Sequence, residues 1–341
     1  MAAICTAAIA KPKEKAPAKD AYAEYVWPAP PDEARIRLVD ILSMRADVEA
    51  SSRFTRALIG ASPDDLYSRL LRPIGCAFDA KGRLLVTDAQ LTAVLRFDRK
   101  GRRMDVLGTT GALKLKLPMG INVGADGRIY VADAGAQRVV AFDEEGKSLA
   151  AYGRKGELVN PTDSALSPDG TRLYVTDSKA NKIVVFDVAT SKVLTTLGEE
   201  GAGEGQFNRP SAIAVDRDGS IFVVDAINAR IQILSPDGEF LQTLGALGTA
   251  PGQFVRPKDV AIDAEGRVYV SDGAFNNVQV FDKDLQLLTF VGDAGGEPGR
   301  FQIPGGIGIG GKHFAVVDQL GARIEVFEHI PEAPKAESSG Q

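Results

Sequence analysis

Apolar residues along the chain fall in short runs of four to six, rich in Val and Ile, each closed by a polar turn carrying Asp-Gly or a lone Gly. One stretch shows the pattern well: Ala212-Ile213-Ala214-Val215, the turn Arg217-Asp218-Gly219, Ile221-Phe222-Val223-Val224, then Arg230-Ile231-Gln232-Ile233, the turn Pro236-Asp237-Gly238, and Phe240 to Leu244. Short β-branched runs with this punctuation predict consecutive antiparallel hairpins. No helical periodicity alternates with them, which excludes a parallel sheet built from βαβ units.

The pattern repeats. Apolar-x-Asp recurs as Val86-Thr87-Asp88, Val131-Ala132-Asp133, Val175-Thr176-Asp177, Val223-Val224-Asp225, Val270-Ser271-Asp272 and Val316-Val317-Asp318, with the aspartates 44 to 48 residues apart. Pro73, Pro118, Pro161, Pro210, Pro257 and Pro304 precede them by 14 to 16 residues, where proline can open a first strand. A four-stranded unit at this period predicts a propeller blade. The sixth copy stops after Arg323-Ile324-Glu325-Val326-Phe327 without a fourth strand, while Arg35 to Leu42 is a strand-like run ahead of the first copy. That run is expected to supply the missing outer strand and remove the open edges. The expected fold is all-β: a six-bladed β-propeller of four-stranded antiparallel blades, closed by the N-terminal strand, with a short helical insertion before blade 1.

Six segments follow. Residues 1–10 end in Ala8-Ile9-Ala10, like a secretory cleavage site, so an extracytoplasmic location (periplasmic or secreted) is expected; the missing basic n-region keeps a cytoplasmic one as the alternative. Residues 11–34 are a Pro-rich linker that Trp27 is expected to pin, and 35–43 the closing strand. Residues 44–71 hold the insertion, a helix started by Ser62-Pro63-Asp64-Asp65 with Leu66 and Leu70 on one covering face. The propeller spans 72–330, and 331–341 is expected to be a disordered tail. No apolar run reaches the length of a membrane span.

Forty basic against forty-five acidic side chains leave a net charge of −5, against a general pull onto nucleic acid. Two cysteines, Cys5 and Cys76, cannot make a disulfide framework, a structural zinc site or a C-x-x-C-H haem attachment. Gly306 to His313 fits G-x-x-x-x-G-K but lacks the hydroxyl and the following helix of a phosphate loop.

The unit Pro-x-x-[Ile/Val]-Ala-[Val/Ile]-Asp, then Gly-x-[Ile/Val]-[Phe/Tyr]-Val-x-Asp, then [Ile/Val]-Gln-[Ile/Val] resembles the NHL repeat over residues 72–328. The opening Trp27-Pro28-Ala29-Pro30-Pro31 with Arg35-Ile36-Arg37 is similar to bacterial NHL proteins found alongside c-type cytochromes. The resemblance implies an exported binding protein without cofactor, whose partner is a protein, in a c-type cytochrome system.

Candidate chemistry is sparse. Lyases of this propeller class need axial histidines, and the first strands have none; His313 and His329 lie at a turn and at the C-terminal end. Lactonase-like propellers need a Glu/Asn/Asp cluster for calcium, and the mouth offers Asn122, Asp163 and Asp259 as weak ligands for a hard cation. The repeated aspartates Asp88, Asp133, Asp177, Asp225, Asp272 and Asp318 read as scaffolding, because a group present in every blade is not a site. Partner-binding candidates are Arg138, Lys182, Arg230 and Arg323 on the loops, and Arg72, Arg209 and Arg256 before the prolines. Phe207, Phe254 and Phe301 in the spacers read as wedges between blades. The leading expectation is a non-enzymatic platform docking a protein on the loop face, within an extracytoplasmic electron-transfer assembly. The alternative is a metal-dependent lyase or lactonase-like enzyme at the channel mouth, and the third is an RNA-binding NHL domain, against which charge and the lack of loop aromatics count.

Overall fold

The computed structural model describes residues 21–29, 32–49 and 66–330. Six antiparallel sheets form a ring. Blade 1 comprises Pro73–Phe78, Leu84–Asp88, Ala93–Asp98 and Arg103–Leu107; blade 2, Pro118–Val123, Ile129–Asp133, Arg138–Phe142 and Ser148–Tyr152; blade 3, Pro161–Leu166, Arg172–Asp177, Lys182–Asp187 and Val193–Leu197. Blade 4 holds Pro210–Val215, Ile221–Asp225, Arg230–Leu234 and Phe240–Leu244; blade 5, Pro257–Ile262, Val268–Asp272, Asn277–Phe281 and Leu287–Val291. Blade 6 takes Pro304–Gly310, His313–Asp318 and Arg323–His329 from the end of the propeller and Ile36–Leu42 from the other end of the chain. The closing strand pairs antiparallel with Arg323–His329 over its whole length, as the incomplete sixth copy requires.

Innermost strands pack side by side around the axis, blade 6 against blade 1 included. In every blade the opening proline stands opposite the repeated aspartate, as in Pro73 with Asp88 and Pro257 with Asp272. The starts of the first strands and the turns between second and third strands therefore share one face. All six aspartates are fully buried. They accept main-chain N–H groups from the segment before the proline: Leu71 and Arg72 on Asp88 at 2.7 and 2.9 Å, Val159 and Asn160 on Asp177 at 2.6 and 2.9 Å, and Gln302 on Asp318 at 2.8 Å. A carboxylate here ties the inner strand to its hairpin and satisfies amides that no ladder reaches.

Apolar side chains fill the gaps between successive sheets, so each cluster mixes residues of two blades. Phe207, Phe254 and Phe301 are completely buried in these gaps. Gly198 holds a positive φ beneath Phe207, where a Cβ would lie 2.4 Å from the ring; Gly245 and Gly292 do the same beneath Phe254 and Phe301. The glycine and the phenylalanine of each spacer are thus one device.

Two details differ from the sequence reading. Val26–Trp27, within the expected linker, adds a short fifth strand outside the closing strand, and Trp27 stacks edge-on against Phe327 at 5.4 Å. A two-residue strand is too short to leave a period in the sequence. In the insertion, a 3-10 turn at Arg45–Asp47 is followed by residues 50–65, outside the described residues along with Ser62 to Asp65 of the expected helix start. Leu66 and Leu70 do not share a face: Leu66 is 63% exposed and Leu70 is 2% exposed. Arg69 bridges Met44 and the Leu70 N–H donates to Ser43 at 2.8 Å, an extended pairing that turns Leu70 inward against blade 1. Residues 1–10 and 331–341 also lie outside the described residues.

Candidate functional site

The ring encloses an axial cavity of about 350 Å³, walled by the six first strands. The residue two places after the proline is Gly75, Gly120, Asp163, Ala212, Asp259 and Gly306 in blades 1 to 6. Glycine permits the tight approach of neighbouring inner strands: a Cβ on Gly306 would lie 2.6 Å from the Gly75 Cα. Asp163 and Asp259 are the two side chains of any size at this level, and both face the cavity.

Each aspartate leans onto the next blade. Asp163 accepts the Ile213 N–H at 3.0 Å, and Asp259 accepts the Ile307 N–H at 2.6 Å and its neighbour Val260's at 2.8 Å. The Ile213 and Ile307 donors are first-strand amides, freed because the inner strand bulges just after the proline and slips out of register with its partner. Both carboxyls titrate above the usual carboxylate range. For Asp163 burial is the main cause and the charge of Asp259 the second; burial pushes Asp259 up to about 7. The amides pull the other way in both cases and lose.

The second strands, just behind the cavity wall, follow a pseudo-threefold order. The middle residue of the Val-x-Asp phrase is a hydroxyl in blades 1, 3 and 5 (Thr87, Thr176, Ser271) and aliphatic in blades 2, 4 and 6 (Ala132, Val224, Val317). The hydroxyls stiffen the inner strand: Thr87 accepts the Gly75 N–H at 2.9 Å, Ser271 accepts the Asp259 N–H at 3.1 Å, and Thr176 donates to the Asp163 carbonyl at 3.2 Å. Ser271 also donates to the Gly305 carbonyl of blade 6 at 2.8 Å. Asp163 and Asp259 thus stand on rigid blades. The alternation was visible in the repeated phrase and marks these blades out; Lys258, Ser211 and Gln319, which also line the cavity, carried no signal of their own.

Other candidates are placed as follows. Asn122 lines the cavity two residues further along blade 2, so it is out of level with the aspartates. Arg230 bonds Asp225 at 2.9 Å and the Gly203 and Gln206 carbonyls, while Arg323 caps the carbonyls of Gly296, Glu297 and Arg300. Arg138 donates to the Lys114 carbonyl at 3.1 Å. These three guanidiniums clamp the spacers. Arg72, Arg209 and Arg256 are exposed beside the mouth, and Lys182 is half-buried at the start of a third strand. Cys76 is buried against blade 6, and burial pushes its thiol far up, which leaves it unreactive. His313 meets Glu328 at 3.2 Å, and His329 bonds the Tyr269 hydroxyl beside a second cavity of about 530 Å³ between blades 5 and 6. Neither histidine lines the axial cavity.

The donors do not fit the metal that lactonase-like and lyase-like propellers imply. Among the described residues no three His, Cys, Asp or Glu side chains converge. Each aspartate already accepts main-chain N–H groups, and the Lys258 amine shares their cavity, so two carboxylates and a distant amide are a poor cage for a hard cation.

A model of the SMP-30/gluconolactonase/LRE-like region matches residues 156–251. Among curated proteins, Caenorhabditis elegans protein lin-41 is 40% identical over 55 residues, 16% of this chain and 5% of that protein. The rat E3 ubiquitin-protein ligase TRIM71 is 47% identical over 45 residues, 13% of this chain and 5% of its own. The chain therefore spans about 5% of the length of the curated relatives it matches. Among solved structures, a Xanthomonas campestris gluconolactonase superposes with a TM-score of 0.58 at 18% identity, covering 86% of this chain and 98% of that one. A Staphylococcus aureus virginiamycin B lyase gives 0.56 at 16% identity over 76% and 80%. A Bacteroides thetaiotaomicron protein of unknown function gives 0.66 at 18% identity over 77% and 70%. At these identities the likeness is one of fold.

Proposed function

We propose that the protein is an enzyme that hydrolyses a lactone or ester bond of a small molecule in the axial channel, with Asp259 as general base and Asp163 as general acid. One observation carries the reading. Two residues past the opening prolines four blades present Gly or Ala and two present aspartate, so at this level of the cavity wall two carboxyls are the chemically active groups. In this reading Asp259, ionised near neutral pH, takes a proton from water as the oxygen attacks the carbonyl carbon. Asp163, still protonated, gives its proton to the departing alkoxide, leaving an acid and an alcohol. Proton exchange with solvent then restores the pair. The fold shared with a gluconolactonase and a lyase supports an enzyme over a scaffold.

A panel of sugar and aliphatic lactones and aryl esters tests this. Expected are turnover with an acid limb near pH 7, loss of about a hundredfold or more in both Asp163→Asn and Asp259→Asn, and indifference to chelators. A silent panel, or activity abolished by chelation and restored by calcium or zinc, would sink it.

A second reading, a platform docking a protein on the mouth face in an extracytoplasmic electron-transfer assembly, draws support from apolar side chains exposed there: Ile227 at 61%, Leu247 at 70% and Leu320 at 69%. Photocrosslinking from position 227 with a control at Leu149 on the outer rim tests it; equal yields at the two sites contradict it. The NHL-type motif supports either reading.

A further inference from the structure

The collar of residues that flank the opening prolines has a charge pattern of its own. The twelve residues that flank the six opening prolines include Arg72, Arg209, Arg256 and Lys258 and no carboxylate. In blade 5 both flanking positions are cationic, and there the two side chains converge. They meet over Gly273, in the turn after Asp272: a Cβ on this glycine would lie 3.2 Å from the Arg256 Nε and 3.4 Å from the Lys258 Cε. Arg256 is anchored by a hydrogen bond to the Gly273 carbonyl. Among the described residues neither cation makes an ion pair with a carboxylate. Two like charges held together without a counter-ion repel each other, an arrangement that a bound anion relieves.

The surroundings are built for this. The register of blade 5 slips between Pro257 and Asp259, and the consecutive residues Lys258 and Asp259 both line the cavity. Ile303 stands beside the pair, its Cγ2 3.4 Å from the same glycine position. Its φ of 90° is a strained conformation for a β-branched residue, held by a 3.0 Å bond from its N–H to the Asn276 side chain. Gln319 covers Gly305 and adds an amide to the wall.

We propose that Lys258 and Arg256 form an oxyanion subsite at the collar between blades 5 and 6, which takes the terminal carboxylate or phosphate of the small molecule entering the channel. This rests on the channel being the place of action and adds a substrate class: an acid whose charged end stays at the collar while its reactive end reaches Asp163 and Asp259. Burial and the Arg256 charge weaken the ammonium form of Lys258, and a bound anion restores it.

Calorimetric titration at low ionic strength, with inorganic phosphate in one arm and malonate in the other, tests the subsite without relying on turnover. Saturable binding is expected in the wild type and in Lys258→Arg, about tenfold or more weaker in Lys258→Met and Arg256→Met, and unchanged in Arg72→Met. The arm that binds more tightly tells phosphate from carboxylate. Near-ultraviolet circular dichroism of each variant guards against misfolding, and Lys258→Arg keeps the test valid if Lys258→Met does not fold. No saturation in either arm, or an equal loss in Arg72→Met, overturns the proposal. Binding that persists in Asp163→Asn and in a wild type inactive on every lactone and ester upholds the subsite while removing the hydrolase.

Discussion

At Asp225 one carboxylate oxygen faces three donors, the Asn228 amide at 2.8 Å, the Arg230 Nε at 2.9 Å and the Gln232 amide at 3.3 Å, while the other takes the Asn208 N–H at 2.7 Å. Asp225→Asn would turn an NH₂ toward one of these donor sets, so a loss of about 1–3 kcal/mol is expected in urea unfolding; an unchanged midpoint contradicts the scaffolding role. Glu325 presents the opposite case. Blades 4 and 5 carry Gln232 and Gln279 at this position, each gripping the spacer through a glycine N–H and a carbonyl. Blade 6 has a fully buried glutamate, which burial pushes up to about 7 despite Arg323 alongside and the Gly299 N–H it accepts. Its folded value lies above the unfolded one, so the stability it contributes is full below about pH 4.5 and lost as pH rises through about 7. Glu325→Gln should then raise the Tm at pH 8 more than at pH 5, by the equivalent of about 3 kcal/mol at most, since Arg323 keeps its three carbonyls. Parallel Tm curves for the two proteins would contradict this. Asp163 and Asp259 were legible as candidates because they interrupt a small-residue position; their bonds to Ile213 and Ile307 were not, because those amides are freed by bulges that leave no mark on composition.

Among the elements, the closing strand bears most on stability. Ile36, Leu38 and Leu42 are each at most 1% exposed, and burial of each contributes about 1.5–3 kcal/mol. Deleting residues 1–43 also bares the edge of Arg323–His329 and removes Trp27 from Phe327. The Tm should fall sharply and the truncated chain should associate through that edge; a Tm equal to that of the full chain contradicts this. The closing strand announced itself as a strand-like run that completes the sixth copy, whereas the face expected to be shared by Leu66 and Leu70 is broken where Arg69 bridges Met44 and Leu70 turns inward.

For the molecule as a whole, the sixfold recurrence made the ring legible, since each copy checks the others and a misread strand in one is corrected by five more. The site is the reverse, a property of how the copies differ: an aspartate in two of six, a hydroxyl in three of six, a lysine–arginine pair in one. Such differences acquire meaning only when the blades are set side by side, which is why Lys258 emerged from the coordinates and not from the repeat. The join between Ile36–Leu42 and Arg323–His329 has one more consequence. Arg37 and Glu328, bonded at 2.8 Å, are 291 positions apart. At roughly 5–20 residues per second, the ribosome delivers the early partner tens of seconds before the late one. During that interval the nascent torus gapes, and whatever guards the waiting segment from self-association governs the yield of finished protein.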